Sequence, residues 1–411
     1  MSEFRKAIVV GGGIGGLATA IALTRRGHHV EVLERAAEFG ESGSGISLWT
    51  NGLRALDALG VGDKVRAAGH IETEAGIRDR SGRWLSKTDT AELARRYGPV
   101  VVVRRADLFA ILAGALPADS LRAATTVTGI DTRTATVKVE HTAGTSEADL
   151  IIGADGIRSM VRATLWPDAK APRYAGYTAW RMITAPLDFV PAGGEIWGRG
   201  ERFGIAPLAD GSAYLFGVAS VPAAERRSRS AAATGQHADV EAATGGQEST
   251  DTGMAIRTAA DEFAEVQRRF AHWPDPVPAL LAAVSPNAVL RHDIYDLPPL
   301  DSFIRPRAAL LGDAAHAMTP NMGQGANQAL EDAVTLAAVL DGRSLDAALT
   351  EYDLLRRPRT QAIARRSHLI GQVAQWSFPP ATLLRDTIIR CTPSSAMLDS
   401  LRSALTWEPP R

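Results

Sequence analysis

The first residues with a chemistry-bearing pattern form a glycine-rich turn near the N-terminus. The letters GGGIGG at 11–16 follow the apolar run Ala7–Val10 and fit the spacing GxGxxG. In this pattern Gly11 allows a tight turn, Gly13 lets the backbone approach a pyrophosphate, and Gly16 lets the following helix pack closely on the strand. The N–H groups at the start of that helix then favour phosphate groups.

A carboxylate stands where a dinucleotide-binding fold contacts a ribose. Glu34 ends the second apolar run, Val30–Leu33, and a carboxylate at this distance accepts hydrogen bonds from an adenosine ribose. The glycine pattern alone is weak evidence, because glycine turns also occur for structural reasons. Together with the strand before it, the helix after it and Glu34, it predicts a bound dinucleotide, either FAD or NAD.

Motifs later in the chain decide between these two dinucleotides. They are RADL at 105–108, GADGIRSMVR at 153–162, LGDAAH at 311–316 and PNMGQGAN at 320–327. In type and order these motifs resemble the class A flavoprotein monooxygenases, the family of p-hydroxybenzoate and salicylate hydroxylases. The resemblance extends over nearly the whole chain and favours FAD.

The resemblance implies that FAD is held along its whole length and that NADH or NADPH is the co-substrate. It associates the motif around Asp155 with both cofactors, Asp313 with the FAD ribityl chain, and the segment 320–327 with the isoalloxazine ring. The implied cofactor-binding residues are Gly11, Gly13, Gly15, Gly16, Glu34, Arg35, Ser47, Arg105, Val127, Asp155, Gly312, Asp313, Pro320, Gly323, Gln324, Gly325, Ala326 and Asn327.

The segment after Gly323 gives a physical reason for the flavin assignment. Apolar residues such as Leu330 and Val334 recur at helical spacing there, so a helix is expected to begin beside the glycines. Its N-terminus would stabilise the negative charge that reduction places on flavin N1 and the C2 carbonyl. A plain glycine turn explains the glycines but not the matching Gly312–Asp313. We expect His316 to be a structural hydrogen-bonding residue rather than an acid or base.

An α/β fold must position these motifs. The alternation of strand, glycine turn and helix predicts a Rossmann-like FAD-binding domain of the p-hydroxybenzoate hydroxylase type. Aromatic and β-branched residues at 174–220 predict an inserted antiparallel sheet, and the composition of 221–260 predicts a flexible insertion within it. The predicted domains are a discontinuous FAD-binding domain (1–172 and 286–345), a substrate-binding sheet domain (173–285) and a C-terminal helical region (346–411).

The inserted sheet carries two candidate catalytic residues, Arg202 and Tyr214, on strands joined at Ala209–Gly211. A three-residue loop with Gly211 left-handed puts both side chains on one face, whereas a two-residue Asp-Gly turn puts them on opposite faces. Arg202 would bind an anionic substrate or intermediate, with Tyr214 as hydrogen-bond partner. An exposed arginine and a sheet tyrosine explain the spacing equally well.

The pattern around Arg202 and Tyr214 looks closest to the FAD-dependent urate hydroxylase branch of the family, where the matching residues face the substrate. Ala179 and Arg181 depart from the amide-bearing stretch of that branch, so the resemblance leaves the substrate open. Apolar walls for the substrate, or alternatively core positions, are expected for Trp49, Trp180, Trp197 and Met322.

Charge and composition restrict the partners. The chain has 45 Lys and Arg against 46 Asp and Glu, so no basic field attracts nucleic acid. The absence of a long apolar run or signal-like segment predicts a cytoplasmic protein without a membrane span. The single cysteine, Cys391, is expected to be buried or semi-buried, and the histidines show no metal-ligand spacing. We expect a monomer or homodimer.

These features predict a FAD-dependent monooxygenase. NAD(P)H would reduce FAD, dioxygen would form a flavin C4a-hydroperoxide, and one oxygen atom would pass to an aromatic or N-heteroaromatic small molecule. Two other hypotheses remain open. One is a FAD-dependent epoxidase or dehydrogenase acting on a non-aromatic substrate, and the other is a non-catalytic nucleotide-binding escort protein with the same fold.

Overall fold

The computed structural model describes residues 5–40, 43–133, 135–224 and 257–410. In these residues the strands are β1 (Lys6–Val10), β2 (His29–Leu33), β3 (Gly45–Leu48), β4 (His70–Ile71), β5 (Ala75–Asp79), β6 (Trp84–Thr88), β7 (Val101–Arg104), β8 (Leu121–Arg122), β9 (Val127–Asp131), β10 (Val137–His141), β11 (Gly144–Ala148), β12 (Leu150–Gly153), β13 (Arg173–Ile183), β14 (Gly194–Trp197), β15 (Glu201–Pro207), β16 (Ala213–Ala219), β17 (Leu290–Asp296), β18 (Ile304–Arg305) and β19 (Ala308–Leu310). The helices are α1 (Ile14–Thr24), α2 (Thr50–Ala58), α3 (Gly62–Ala68), α4 (Thr90–Arg96), α5 (Arg105–Ala113), α6 (Met160–Leu165), α7 (Ala259–Phe270), α8 (Val277–Ala282), α9 (Asp313–His316), α10 (Gly325–Leu340), α11 (Leu345–Ala374), α12 (Pro379–Cys391) and α13 (Ser394–Leu405).

A six-stranded sheet in the order β18-β19-β12-β1-β2-β8 carries the glycine motifs. β1 runs parallel to β2 and β12, and β12 runs parallel to β19. The central strands are mostly apolar because other elements bury them, among them the helix α1 and the three-stranded sheet β11-β10-β9, which packs on β1 through β11. The predicted βαβ start is confirmed, and α1 begins at Ile14, inside the glycine motif. Gly15 and Gly16 therefore belong to the first turn of the helix.

The inserted antiparallel sheet is confirmed and is larger than its sequence range. Its seven strands lie in the order β17-β13-β16-β15-β14-β5-β6. The predicted bounds 173–285 are too narrow at both ends. β5 and β6 come from residues before them, and β17 comes from the segment 286–345 that was predicted to belong to the FAD-binding domain. β5 joins the sheet by parallel pairing with β14. One face packs on α7 and α8 through a cluster that includes Trp180, Met182, Phe203 and Phe270. The opposite face, which carries Tyr177, Ala179, Tyr214 and Phe216, is called here the inner face.

The hairpin that carries the candidate catalytic residues has the three-residue loop. Arg202 pairs with Val218, Gly204 with Phe216, and Ala206 with Tyr214. Gly211 has a φ of 80°, which is the left-handed region that the loop requires. Arg202 and Tyr214 therefore lie on the same inner face, as the first of the two sequence alternatives predicts.

Two further expectations concern individual segments. Most of the predicted flexible insertion at 221–260 lies outside the described residues, and its last two residues, from Ala259, belong to α7. The expectation that Cys391 is buried or semi-buried is wrong, because this last residue of α12 is exposed. No helix in the described ranges combines the length and the apolar character needed to cross a membrane.

Phe270 should be a main contributor to the stability of the inserted sheet. The side chain is fully buried, and its ring centroid lies 5.4 Å from that of Phe203 and 5.0 Å from that of Trp273. We expect Phe270→Ala to lower the free energy of unfolding by about 3–5 kcal/mol, measured by urea denaturation, because it leaves a cavity. Phe378→Ala, at a side chain that is 66% exposed, should change it by less than about 0.5 kcal/mol. Equal losses in the two variants would contradict this packing role.

Candidate active site

Parallel pairing brings four separate motifs to one edge of the six-stranded sheet. Val10 pairs with both Leu33 and Gly153, and Gly153 pairs with Leu310. The carboxyl ends of these strands are therefore level. The glycine turn, Glu34, the Asp155 motif and the Gly312 motif follow them at the edge where open α/β sheets bind ligands.

The motifs touch one another at distances that only small residues allow. A Cβ at Gly11 would overlap the carbonyl oxygen of Ala154, and the φ of Gly11 is 104°. A Cβ at Gly15 would lie 2.8 Å from Leu311 Cδ1 and 3.2 Å from the Cβ of Ala329 on α10. The first motif thus packs directly against the motifs that contain Asp155 and Gly312.

Gly13 stands apart from these packing positions. It is the residue before α1, and a Cβ added to it meets no atom within 4 Å. Open space therefore lies beside the first N–H groups of α1, where a phosphate binds most favourably. Nearby, Glu34 accepts hydrogen bonds from the N–H groups of Gly12 at 2.6 Å and Ala36 at 2.8 Å. These bonds fix the carboxylate at the end of β2.

Asp155 organises the second motif. Its Oδ2 accepts hydrogen bonds from the N–H groups of Met160 at 2.7 Å and Val161 at 3.1 Å, at the start of α6. Burial raises the pKa of Asp155, although these N–H groups and Ser159 oppose the rise. Arg162, to which the sequence analysis gave no role, donates to the carbonyl of Ala314 at 2.7 Å. The Asp155 and Asp313 motifs are thereby joined through a buried arginine.

The segment 320–327 turns sharply and then begins α10. Gly323 has a φ of 59°, and a Cβ there would lie 2.9 Å from Trp49 Nε1. Asn327 Oδ1 accepts a hydrogen bond from the backbone N–H of Trp49 at 3.0 Å, and its Nδ2 donates to the Ser47 carbonyl at 3.2 Å. A Cβ at Gly325 would meet only open space. The first turn of α10 is therefore tied to β3 and is still accessible to a flat ring.

The remaining predicted cofactor residues surround this edge at different depths. Gln324 is buried beside Gly325, and Ala326 is half-buried; Pro320 and Asp313 are exposed. Arg105 is the first residue of α5, and its N–H donates to the Ser44 carbonyl at 3.0 Å. Val127 is buried at the start of β9, and Arg35 is exposed after Glu34. These residues border the same strand ends.

Together these features fit a long dinucleotide. The open space at Gly13 suits the phosphates, and the open space at Gly325 suits a ring system near the N-terminus of α10. The buried Oδ1 of Asp155 has no hydrogen-bond partner among the described residues, so it is available as an acceptor. The residues that would hold FAD are consequently those of the four strand-end motifs and the 320–327 segment.

Arg202 lies at the centre of a network between the inner face and this segment. Its guanidinium donates to Asn321 Oδ1 at 2.9 Å, to Gln375 Oε1 at 3.0 Å and to Glu195 Oε2 at 3.2 Å. It also lies 5.8 Å from the ring centroid of Tyr177. The side chain is only 3% exposed. Groups of the chain itself therefore already bind Arg202 on several sides.

Tyr214 lies on the same face but not beside Arg202. It pairs with Ala206, four residues from Arg202 along β15, so the two residues are about 13 Å apart along the strand direction. Its ring packs on Gly45 of β3 and lies 5.8 Å from the ring of Phe216. The inner face thus holds both predicted residues, but the structure does not bring them into a hydrogen-bonded pair.

The candidate wall residues have separate places. Trp180 lies on the opposite face and donates to Glu262 at 2.6 Å, so the core alternative is right for it. Trp197 is buried on the inner face and donates to Glu195 at 2.8 Å. Met322 packs with Ile363 of α11. Trp49 is half-buried next to Gly323 and also packs against an apolar cluster that includes Leu93 and Leu405, so its wall role stays a prediction.

Comparison with protein families decides the identity of this site. A model described as the FAD binding domain matches residues 5–253 and 300–367. The chain belongs to this FAD-binding family. FAD is therefore its cofactor, and the predicted fold class and resemblance are confirmed.

Named relatives place the flavoprotein among monooxygenases. It is 34% identical over 407 residues to the aurachin C monooxygenase/isomerase of Stigmatella aurantiaca, with 98% of each chain covered. It is also 34% identical over 370 residues to a FAD-dependent urate hydroxylase of Klebsiella pneumoniae, with 88% of each chain covered. The crystal structure of Klebsiella pneumoniae HpxO complexed with FAD and uric acid has a TM-score of 0.84 and 29% identity, with 98% of this chain and 96% of that chain covered. The likeness spans both sheets and the C-terminal helices.

Behind the 320–327 segment this flavoprotein has a buried charged cluster that the sequence analysis missed. Arg356 of α11 binds Glu331 at 2.5 Å and Asp332 at 2.7 Å, and all three side chains are at most 1% exposed. Asp332 also accepts hydrogen bonds from His316 Nε2 at 2.5 Å and from the Gly312 N–H at 3.0 Å. His316 thus has the structural role that the sequence predicts.

The cluster also reaches the start of α10 and α2. Glu331 accepts a hydrogen bond from Asn51 at 2.6 Å, and Asn51 donates to Gln324 at 2.9 Å. Two adjacent acids within an otherwise apolar helix are the sequence signal that could have found the cluster. Burial would raise the pKa of Asp332, but His316, Arg356 and the Gly312 N–H lower it to about 2. The carboxylate stays ionised in the interior.

Gly13→Val should separate cofactor binding from folding. The added methyl groups would enter the open space where a phosphate binds, so we expect FAD affinity to fall by about tenfold or more, or about 1.4 kcal/mol. The free energy of unfolding of the apoprotein should fall by at most about 1 kcal/mol, because valine can adopt the extended backbone of this N-cap position and no side-chain cap is lost. The measurement is a fluorescence titration of apoprotein with FAD. Gly114→Ala, at the end of α5, is the control. Equal FAD affinity in the parent and both variants would contradict a phosphate site at Gly13.

Arg356→Met should destabilise the protein strongly, because it leaves two buried carboxylates without their cation. We expect a loss of about 3–5 kcal/mol at neutral pH by urea denaturation. The pKa of Asp332 is lowered from 3.8 to about 2. The ionised Asp332 thus contributes fully to the free energy of unfolding of the native protein above pH 3.8, and this contribution is lost as the pH falls towards 2. The difference in the free energy of unfolding between variant and parent should narrow over the same range.

The control for this variant is Arg343→Met. Arg343 forms an ion pair with Glu351 at 3.0 Å, with side chains 44% and 40% exposed. Removal of this pair should lower the free energy of unfolding by at most about 1 kcal/mol. Similar losses in the Arg343 and Arg356 variants would show that the buried cluster does not stabilise the protein more than a surface pair.

Proposed function

We propose that this flavoprotein hydroxylates an electron-rich aromatic or N-heteroaromatic small molecule with NADH or NADPH and dioxygen. The observation that carries the proposal is the Arg202–Asn321 contact, because it sets an aromatic-bearing sheet face beside the flavin-binding segment. The relatives support it, since their names include a urate hydroxylase and an aurachin C monooxygenase. The need for a nicotinamide reductant supports a cytoplasmic location.

Bound FAD would supply the redox chemistry, with the nicotinamide cofactor as reductant and dioxygen as oxidant, so that one oxygen atom would enter the ring and the other would leave as water. The protein supplies orientation and electrostatics. The N-terminus of α10 provides unpaired N–H groups and a partial positive charge for the ring system held near Gly325. The inner face closes the opposite side and excludes water from the substrate.

We propose that Arg202 acts by positioning rather than as the main anchor for substrate. Its hydrogen bond to Asn321 fixes the segment that follows Thr319, and Asn321 Nδ2 donates to Tyr177 Oη at 3.0 Å. Burial raises the pKa of Tyr177, despite the nearby Arg202, so its phenol stays neutral. Tyr214, beside Phe216, is proposed to contact the far end of the substrate.

The function is tested by anaerobic reduction of the FAD-loaded protein with NADH and with NADPH. The panel contains salicylate, urate, 3-amino-4-hydroxybenzoate and a 4-quinolone. We expect at least one ring compound to speed flavin reduction by about tenfold or more, which is about 1.4 kcal/mol of barrier. In isotope-labelled dioxygen, the same compound should gain one labelled oxygen atom.

Two outcomes would contradict the proposal. Substrate oxidation without incorporation of labelled oxygen would indicate a dehydrogenase. A colourless protein that does not retain added FAD would indicate the non-catalytic alternative. Peroxide release without any ring compound is the control for uncoupled turnover.

A further inference from the structure

A second arginine of the inner face differs from Arg202 in its surroundings. Arg181 of β13 pairs with Phe216 on one neighbouring strand and with Leu290 on the other. Its chain neighbours Trp180 and Met182 belong to the opposite face, so the Arg181 side chain lies on the inner face. It is half-buried.

Within the described parts of the chain, the Arg181 side chain forms no hydrogen bond and no ion pair. Other arginines of this sheet are bound. Arg202 has three side-chain partners, and Arg291, on the opposite face of β17, binds Asp293 at 3.1 Å. A guanidinium has five donors and is always charged, so a half-buried one that no protein group binds is open to an anionic ligand.

The surroundings of Arg181 leave room for such a ligand. A Cβ at Gly204 would overlap the ring of Phe216, so this ring lies over β15, on the side of β16 away from Arg181. The half-buried Phe216 ring therefore leaves Arg181 uncovered and presents an aromatic surface next to it. The combination suits a planar ring that packs on Phe216 and carries an anionic group.

The acids of the inner face do not neutralise Arg181. Glu195 lies in the same cross-strand row, but it is three strands away and binds Arg202 and Trp197. Asp210, at the end of the hairpin, binds Arg104. No acid among the described residues thus pairs with Arg181, whereas Arg202 on the same face is paired with Glu195.

We propose that Arg181 binds a carboxylate of the ring substrate, so that the substrate class is an aromatic or heteroaromatic acid. The proposal rests on the proposed function for the presence of a ring compound at this face. Arg181 accounts for the specificity of binding, Phe216 contacts the ring, and Arg202 holds Asn321. A guanidinium can bind both carboxylate oxygens at once.

The test compares carboxylates with their neutral amides on the FAD-loaded protein. The probes are salicylate with salicylamide and anthranilate with anthranilamide, and binding is measured from the perturbation of flavin absorbance. We expect the parent protein to bind each carboxylate about 10- to 100-fold more tightly than its amide, the range of a charged hydrogen bond. Arg181→Gln should remove this preference and leave the affinity for each amide within about threefold of that of the parent protein. Arg181→Lys should keep part of the carboxylate preference.

Arg291→Gln is the matched control, because it removes an arginine from the same sheet on the opposite face, and it should keep the carboxylate preference. An absence of carboxylate preference in the parent protein, or the same preference in Arg181→Gln, would overturn the assignment. These binding measurements do not depend on turnover. A carboxylate preference that requires Arg181, found without oxygen incorporation, would therefore refute the proposed hydroxylation and leave the anion site in place.

Discussion

The parallel pairing of β1 with β2 and β12, and of β12 with β19, is the constraint on which the cofactor site depends. Motifs that are up to 300 residues apart in the sequence become neighbours because the carboxyl ends of these strands are level. The close contacts of Gly11 with Ala154 and of Gly15 with Leu311 require this register. A slip of one strand would separate the phosphate cradle at Gly13 from the segment that leads into α10.

The second requirement is that α10 begins at the right place. Its N-terminal turn is held from in front by the bonds of Asn327 to β3, and from behind by Arg356, Glu331 and Asp332. Burying these charges is unfavourable unless every partner is present. The arrangement therefore ties α11 to the segment where the flavin binds. On the other side of that segment, Asn321 transmits the position of Arg202 on the inserted sheet.

The two arginines of the inner face illustrate how charge is divided between structure and ligand. Arg202 is almost fully buried, and its charge is matched by Glu195. Arg181 is half-buried and has no such partner among the described residues. Both residues are arginines, so the sequence alone does not distinguish them. Arg202 is the more conspicuous in the sequence only because the resemblance to urate hydroxylases points to it. The surroundings, rather than the residue type, suggest which of them meets a substrate.

The sequence by itself determined the βαβ start and the antiparallel insertion, because glycine spacing and the alternation of apolar residues are local properties of the chain. The choice of FAD over NAD came from the resemblance that the order of the motifs carries. It also restricted the hairpin to two turn types, and Gly211 was the residue on which the choice depended. Only the tertiary structure decided that the guanidinium of Arg202 is already hydrogen-bonded to other side chains of the protein and that Tyr214 lies away from it. Only the tertiary structure placed β5 and β6 in the inserted sheet and joined Glu331 and Asp332 to Arg356. Such contacts depend on strand order and on packing between distant segments, which no local pattern of residues specifies.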